Sequence, residues 1–239
     1  VGPTLHYFMG GIRVDADTQA TKVPGLFACG ECAAGLHGAN RLGGNSLSDL
    51  LVFGRLAGVG AADYIRAEGD SVGEPLTEQL ETGVRKATSI LNRESGENPY
   101  LLQEEIQAIM NVGVGIVRTK DELETAIQKL EELKPKVAEV KAPGASQLNA
   151  GWHQALDIRC MMITGEAVAR AALLREESRG AHTRLDFEGE RDEWLGQNII
   201  IRKGASGMEV IKESRPEPAE ALSAIALASI EDLEAGKVG

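Results

Sequence analysis

The spacing of hydrophobic and polar positions changes along the chain and divides it into three zones. In the first zone, residues 26–29 form a continuous apolar run closed by Gly30, which predicts a strand buried on both faces, as in a parallel sheet. A Gly-rich loop follows, and the pattern from Ser46 to about Arg66 predicts a helix. Residues 1–68 are therefore predicted to be part of an α/β domain.

The second zone, residues 75–185, is dominated by apolar residues spaced three and four apart, the spacing of amphipathic helices. Thr119 and Glu122 form a predicted capping box before one of these helices. Pro135 is predicted to kink or end that helix. A further helix, over about residues 148–178, is apolar around most of its circumference and is predicted to be the central core helix. This zone is predicted to be a helical bundle.

The third zone, residues 186–239, has mixed character. Two apolar runs, residues 198–203 and 208–211, flank a Gly-rich segment over residues 204–207, which predicts a β-hairpin. The predicted fold class is α/β plus all-α, with an α/β segment followed by a helical domain and a small C-terminal region that contains the hairpin.

Composition narrows the functional classes. The 239 residues carry 25 Lys and Arg against 36 Asp and Glu, a net charge of −11 that disfavours a nucleic-acid partner. No apolar run approaches the roughly 20 residues of a membrane span, and three cysteines fit a reducing compartment. We therefore expect a cytoplasmic protein. The chain begins Val-Gly-Pro without an initiator methionine, and our hypothesis is that it is the downstream piece of a longer protein.

The densest group of candidate functional residues lies between residues 6 and 47. Glu31 follows the predicted strand, at the edge where open α/β sheets bind ligands, although an exposed glutamate without function fits the same pattern. Arg41 lies in a Gly-rich loop that leads into a helix N-terminus, a position that stabilises negative charge. If that loop folds back beside His6, the histidine and the arginine could bind the two ends of a dicarboxylate.

Metal and thiol-redox chemistry have weaker support. Cys29 and Cys32 have a suitable spacing, but no second pair exists and Cys160 stands alone. His153 and His182 have no partners at ligand spacing. We therefore expect no metal site.

Three segments together carry a resemblance to a known family. They read His-Tyr-Phe-Met-Gly-Gly from His6, Pro-Gly-Leu-Phe-Ala-Cys-Gly-Glu ending at Glu31, and His-Gly-Ala-Asn-Arg-Leu-Gly-Gly-Asn-Ser-Leu over residues 37–47. In order and spacing they resemble the flavoprotein subunit of succinate dehydrogenases and fumarate reductases. Residues 111–118 and residues 175–187, which read Arg-Glu-Glu-Ser-Arg-Gly-Ala-His-Thr-Arg-Leu-Asp-Phe, resemble the helical domain of that family. The resemblance of the Arg-Gly-Ala-His portion implies a structural or interface role for His182.

The resemblance implies an FAD-dependent enzyme that transfers hydride between flavin N5 and succinate or fumarate. It implies that residues 1–68 end an FAD-binding Rossmann-like domain. His6 and Arg41 would bind the substrate carboxylates, and Arg41 would also polarise the substrate. Glu31 would bind ribityl or ribose hydroxyls of FAD. The flavin pyrimidine edge would lie against three residues at the helix N-terminus, Asn45, Ser46 and Leu47.

The same resemblance implies partners and further parts. Electrons would pass to or from an iron–sulfur subunit, and a membrane anchor would be contacted only indirectly, at the cytoplasmic face of the inner membrane. The phosphate loop of the family, its flavin-carrying histidine and its capping-domain acid and base residues would lie upstream of Val1. We therefore expect residues 1–239 alone to bind FAD poorly and to show no turnover.

Two alternatives remain open at this stage. L-aspartate oxidase shares the histidine, the Asn-Arg-Leu turn and the Glu-Ser-Arg-Gly segment, although its turn typically continues Ala-Ser-Asn-Ser-Leu where this chain has Gly-Gly-Asn-Ser-Leu after Leu42. A non-catalytic docking module for an iron–sulfur subunit is the second alternative. Neither the preferred direction of the reaction nor the quinone follows from these residues.

Overall fold

Most of the regular structure in the described residues is helical, and local sequence signals set where several of the helices begin. Asn98 caps one helix by accepting a hydrogen bond from the Tyr100 N–H, with Pro99 in its first turn. Thr119 and Glu122 form the predicted capping box of another. The computed structural model describes residues 6–69, 73 and 76–236. The elements are α1 (Asn45–Glu68), α2 (Thr77–Ser89), α3 (Pro99–Gly113), β1 (Val117–Arg118), α4 (Lys120–Ala138), α5 (Ala150–Leu174), β2 (Thr183–Arg184), α6 (Asp192–Leu195), β3 (Gln197–Lys203), β4 (Met208–Ser214), α7 (Glu220–Leu227) and α8 (Ile230–Glu234).

The chain divides into two compact units, one ending at Glu190 and the other beginning at Arg191. The core of the first unit lies among α3, α4 and α5, which all contact one another. Leu123 and Leu130 of α4 and Ile158 of α5 are fully buried there. The predicted helical bundle, with α5 packed against both neighbours, is therefore confirmed. The domain limits predicted at 68, 75 and 185 stay predictions.

A buried carboxylate links two helices of this core. Glu166 of α5 is only 3% exposed. It accepts a hydrogen bond from Arg170, one turn along its own helix, and lies 2.8 Å from Lys134 Nζ of α4. Because a buried charge is costly unless it is paired, these two cations allow the carboxylate to remain ionised between the helices.

The predicted strand over residues 26–29 is wrong. Within the described residues this segment forms only an isolated antiparallel bridge between Phe27 and Ala20, and Leu26 is 48% exposed. A buried parallel strand needs a neighbouring strand on each side, and the described part of the chain brings none to it. Of the two outcomes predicted for Pro135, the end of the helix is wrong, since α4 continues past it to Ala138, and the kink stays a prediction.

The second unit contains the predicted hairpin. Strands β3 and β4 are antiparallel, with Ile200 opposite Ile211, and the Gly204 N–H donates to the Gly207 carbonyl across the turn. Lys212 Nζ lies 3.8 Å from the ring centroid of Trp194.

In the first unit, the other tryptophan, Trp152, donates its indole N–H to the Ala87 carbonyl. Among the described helices, none combines the length and the apolarity needed to cross a bilayer.

Candidate functional site

The N-terminus of α1 follows a Gly-rich loop. Gly44 is the residue before the helix and adopts a left-handed conformation (φ +83°) that favours glycine. Asn45, Ser46 and Leu47 form the first turn, and no side chain caps it. The first N–H groups of a helix lack partners within the helix and carry the positive end of its dipole. Here the Asn45 N–H donates to the Leu42 carbonyl and the Leu47 N–H donates to the Gly44 carbonyl. The positive end of the helix dipole, more than free N–H groups, therefore allows this turn to attract a negatively charged or electron-rich group.

A buried hydrogen-bond cluster fixes the loop that precedes the helix. The Tyr7 hydroxyl donates to Asp49 Oδ2 at 3.2 Å and lies 3.2 Å from His37 Nε2. The same His37 nitrogen is 3.3 Å from Asp49 Oδ2. Burial, and then the hydrogen bond to Asp49, raise the pKa of Tyr7 above its ordinary value, so the phenol stays protonated. The cluster fastens the residues after His6 to α1 and to the loop.

Sequence reasoning did not find Tyr7, His37 and Asp49 as a group. The available signal in the sequence was Asp49, a carboxylate directly before the apolar residues 50–53 of α1. In the structure Asp49 is 4% exposed. A buried carboxylate needs hydrogen-bond donors. Its donors come from residues far away in sequence, so only the folded chain identifies them.

Arg41 packs on this cluster. Its Cζ atom lies 4.5 Å from the centroid of the Tyr7 ring, and its Nη1 donates to the Leu42 carbonyl. Among the described residues, none hydrogen-bonds its buried Nε. Because Tyr7 directly follows His6, this stacking brings the segment that contains His6, an exposed residue, against the loop of Arg41. The loop of Arg41 therefore folds back beside Tyr7, and its approach to the His6 side chain stays a prediction.

Glu31 lies in a short 3₁₀ turn, Gly30–Cys32. Its Oε1 accepts a hydrogen bond from the Phe8 N–H at 3.0 Å. The carboxylate therefore ties the segment around His6 to the end of the apolar run. Its role toward a ribose or ribityl hydroxyl stays a prediction.

These residues suit a flavin. The first turn of α1 supplies the positive end of the helix dipole, and Leu47, Leu50 and Leu51 of the same helix have exposed apolar side chains. A reduced flavin combines an apolar ring system with negative charge near N1 and the C2 carbonyl, which matches this combination. Within the described residues, no group of three or more His, Cys, Asp or Glu side chains could hold a metal ion.

Comparison with known proteins gives two family matches. Residues 103–224 match the family described as fumarate reductase flavoprotein C-term, and residues 1–47 match an FAD binding domain. The second match shows that residues 1–47 belong to an FAD binding domain and supports FAD as the cofactor.

Individual relatives agree with these matches. The chain is 38% identical over 203 residues to one subunit of the fumarate reductase (CoM/CoB) of Methanothermobacter marburgensis, covering 85% of this chain and 36% of the relative. It is 41% identical over 198 residues to the fumarate reductase flavoprotein subunit of Escherichia coli, covering 81% of this chain and 32% of the relative. The chain thus spans about a third of the length of these relatives.

Solved structures show the same relationship. A chain of the Mycobacterium smegmatis Sdh1 complex superposes with a TM-score of 0.86 at 43% identity, over 97% of this chain and 41% of that chain. E. coli quinol fumarate reductase superposes with a TM-score of 0.78 at 33% identity, over 90% of this chain and 38% of that chain. The matches do not favour L-aspartate oxidase. The chain belongs to the family of fumarate reductase and succinate dehydrogenase flavoprotein subunits.

Proposed function

We propose that this chain provides part of the dicarboxylate and flavin sites of an FAD-dependent succinate/fumarate oxidoreductase. The observation that carries the proposal is the stacking of Arg41 on Tyr7, which brings the segment of His6 against the loop that precedes α1. Family membership and the FAD-domain match support the cofactor. When bound, FAD supplies a hydride acceptor and donor at N5.

Each candidate residue has a stated task in this proposal. His6 and Arg41 bind the two carboxylates, and the guanidinium of Arg41 polarises the substrate as hydride moves. Glu31 accepts hydrogen bonds from ribityl or ribose hydroxyls. Asn45, Ser46 and Leu47 lie against the pyrimidine edge, where the positive end of the helix dipole stabilises the charge of the reduced ring.

The proposed partner is an iron–sulfur subunit that exchanges electrons with the flavin, and membrane contact occurs only through partner subunits. The support is the naming of the relatives as flavoprotein subunits and the solved Sdh1 and fumarate reductase complexes. A chain that only docks an iron–sulfur subunit would lack the substrate response described next.

The test uses the full-length protein, purified and held anaerobic. We expect succinate to bleach the oxidised flavin absorbance and fumarate to restore it, whereas aspartate has no effect. Bleaching by aspartate alone would assign the protein to the amino-acid oxidase branch. A protein without flavin would contradict the proposal and favour the docking module.

The Arg41→Lys variant tests the substrate role. Lysine keeps the charge but loses the planar fork that binds a carboxylate through two hydrogen bonds. We expect kcat/KM for succinate to fall about 100-fold or more, the range seen when one transition-state donor is removed. The control is Arg66→Lys on the exposed face of α1, where the arginine only pairs with Asp63. Equal kcat/KM in the Arg41→Lys and Arg66→Lys variants would show that Arg41 does not bind the substrate.

A further inference from the structure

A tight turn over residues 179–182 closes the segment after α5. The Arg179 N–H donates to the His182 carbonyl at 2.8 Å, and the His182 N–H donates to the Arg179 carbonyl at 3.0 Å. Gly180 adopts a left-handed conformation (φ +59°) that favours glycine. The turn therefore projects two small residues, Gly180 and Ala181, at its tip.

Buried polar contacts fix this turn. Glu177 is fully buried and accepts hydrogen bonds from the guanidinium groups of Arg175 and Arg179. His182 Nδ1 lies 2.9 Å from Arg118 Nη1, and His182 Nε2 lies 3.0 Å from the Arg175 carbonyl. Since an arginine only donates, Nδ1 accepts, and Nε2 carries the proton and donates to the carbonyl. Both sides of the turn are thus held by satisfied hydrogen bonds.

The tip of the turn packs on the loop of the candidate site. The Ala181 N–H donates to the Ala39 carbonyl at 3.1 Å. A Cβ atom at Gly180 would lie 2.6 Å from the Ala39 carbonyl carbon and 2.7 Å from its Cβ, so no side chain fits there. Ala39 lies two residues before Arg41 and two residues after His37.

The loop therefore has two anchors close to Arg41. One is the His37 ring, held by Tyr7 and Asp49. The other is the Ala39 backbone, held by the turn of residues 179–182. Loss of the contact between the turn of residues 179–182 and Ala39 would leave the hydrogen bonds of His37 with Tyr7 and Asp49 intact. It would, however, allow the backbone next to Arg41 to move.

We propose that Gly180 and Ala181 are positioning residues for the dicarboxylate site: they hold the loop of residues 37–41 where Arg41 can meet the substrate. This inference rests on the proposed function of Arg41. Misplacement of a binding group by about 1 Å can cost about 100-fold in rate. Reciprocally, a dicarboxylate that binds the docked loop must stabilise the contact between Ala181 and Ala39.

The first experiment compares Gly180→Ala with Gly189→Ala in the full-length flavin-loaded protein. Gly189 also has a left-handed conformation (φ +77°), but a Cβ there would contact nothing within 4 Å. Both variants place alanine in a left-handed conformation, and only Gly180→Ala pushes on Ala39. We expect KM for succinate to rise about tenfold or more in Gly180→Ala and less than about twofold in Gly189→Ala, with equal flavin content.

The second experiment needs no substitution. Hydrogen exchange of a peptide covering residues 177–185 is measured in the wild-type protein with and without a dicarboxylate at about 100 times its Kd. Linkage predicts that exchange of the Ala181 amide slows by up to about 100-fold. A peptide from α4, which the ligand does not touch in this proposal, is the internal control.

The outcomes separate the two proposals. A wild-type flavin that succinate does not bleach overturns the proposed function and this inference with it. Normal bleaching, combined with equal KM in both glycine variants, overturns the positioning role alone. If Gly180→Ala fails to retain flavin, the exchange measurement decides: slower exchange of the Ala181 amide supports the positioning role, and unchanged exchange overturns it.

Discussion

The imidazole of His182 is neutral because of its surroundings. Burial is the main reason that its pKa falls to about 4, and the positive charges of Arg118, Arg184 and Arg175 lower it further, against the opposing effect of the hydrogen bond to the Arg175 carbonyl. Asp186 lies beside Arg184, whose hydrogen bond holds the pKa of that carboxyl at about 2. A neutral His182 is what its acceptor role toward Arg118 requires.

This shift makes the free energy of unfolding depend on pH. The pKa of His182 is lower in the folded state than its ordinary 6.5, so the unfolded state binds more protons between about pH 4 and 6.5. The contribution of His182 to stability is complete above pH 6.5 and falls as the pH drops toward 4. We expect this residue to change the unfolding equilibrium by up to about tenfold per pH unit in that window.

Urea unfolding at several pH values between about 4.5 and 7 tests the expectation. His182→Gln should flatten the pH dependence. The control is His153→Gln, which changes an exposed histidine on α5. Parallel pH profiles for the wild type and His182→Gln would contradict a neutral buried imidazole.

The start of α4 shows how a single helix is fixed by local chemistry. Glu122 accepts from the Thr119 N–H at 3.0 Å and donates its own N–H to the Thr119 hydroxyl. The Lys120 N–H donates to Asp186, which lies just after β2. The helix N-terminus is therefore satisfied by its own capping box and by a carboxylate from a distant segment.

Thr119→Ala removes the cap without changing the core. We expect it to destabilise the protein by about 1 kcal/mol, within the range of about 0.5–2 kcal/mol for such caps. Thr125→Ala is the matched control, because Thr125 is an exposed residue within the same helix where alanine is the better helix former. Chemical denaturation measures both, and equal stabilities would mean that the cap contributes nothing.

Elements with local signals were predictable from the sequence, and contacts between distant segments were not. The capping box at Thr119 and the hairpin turn after Lys203 depend on neighbouring residues, and both are confirmed. The strand over residues 26–29 was wrong because its pattern needs neighbouring strands. The roles of His6 and Arg41 toward a substrate stay predictions, and the contact of Ala181 with Ala39 joins residues with no sequence signal between them.

At the scale of the whole molecule, stability of the first unit depends on the packing of α3, α4 and α5. Ile158 of α5 is fully buried in this core, whereas Ile163 on the same helix is 52% exposed. Both residues are isoleucines on α5, and they differ in burial. Comparing the same substitution at the two positions therefore distinguishes the contribution of core packing to stability from that of helix propensity.

Ile158→Ala should destabilise the protein by about 2–5 kcal/mol, because it removes buried methyl groups and leaves a cavity. Ile163→Ala should change stability by no more than about 0.5 kcal/mol, as at other surface positions. Thermal or chemical unfolding of both variants checks the difference. A loss in Ile158→Ala as small as in Ile163→Ala would show that the core is not packed around this residue.

The two tryptophans lie in different units, so intrinsic fluorescence can report on each unit separately. Trp152 belongs to the unit that ends at Glu190, and Trp194, which is 2% exposed, belongs to the unit that begins at Arg191. Since the chain has only these two tryptophans, Trp152→Phe leaves fluorescence from the second unit alone, and Trp194→Phe leaves fluorescence from the first. Emission spectra of the two variants therefore report whether the units unfold together or one after the other.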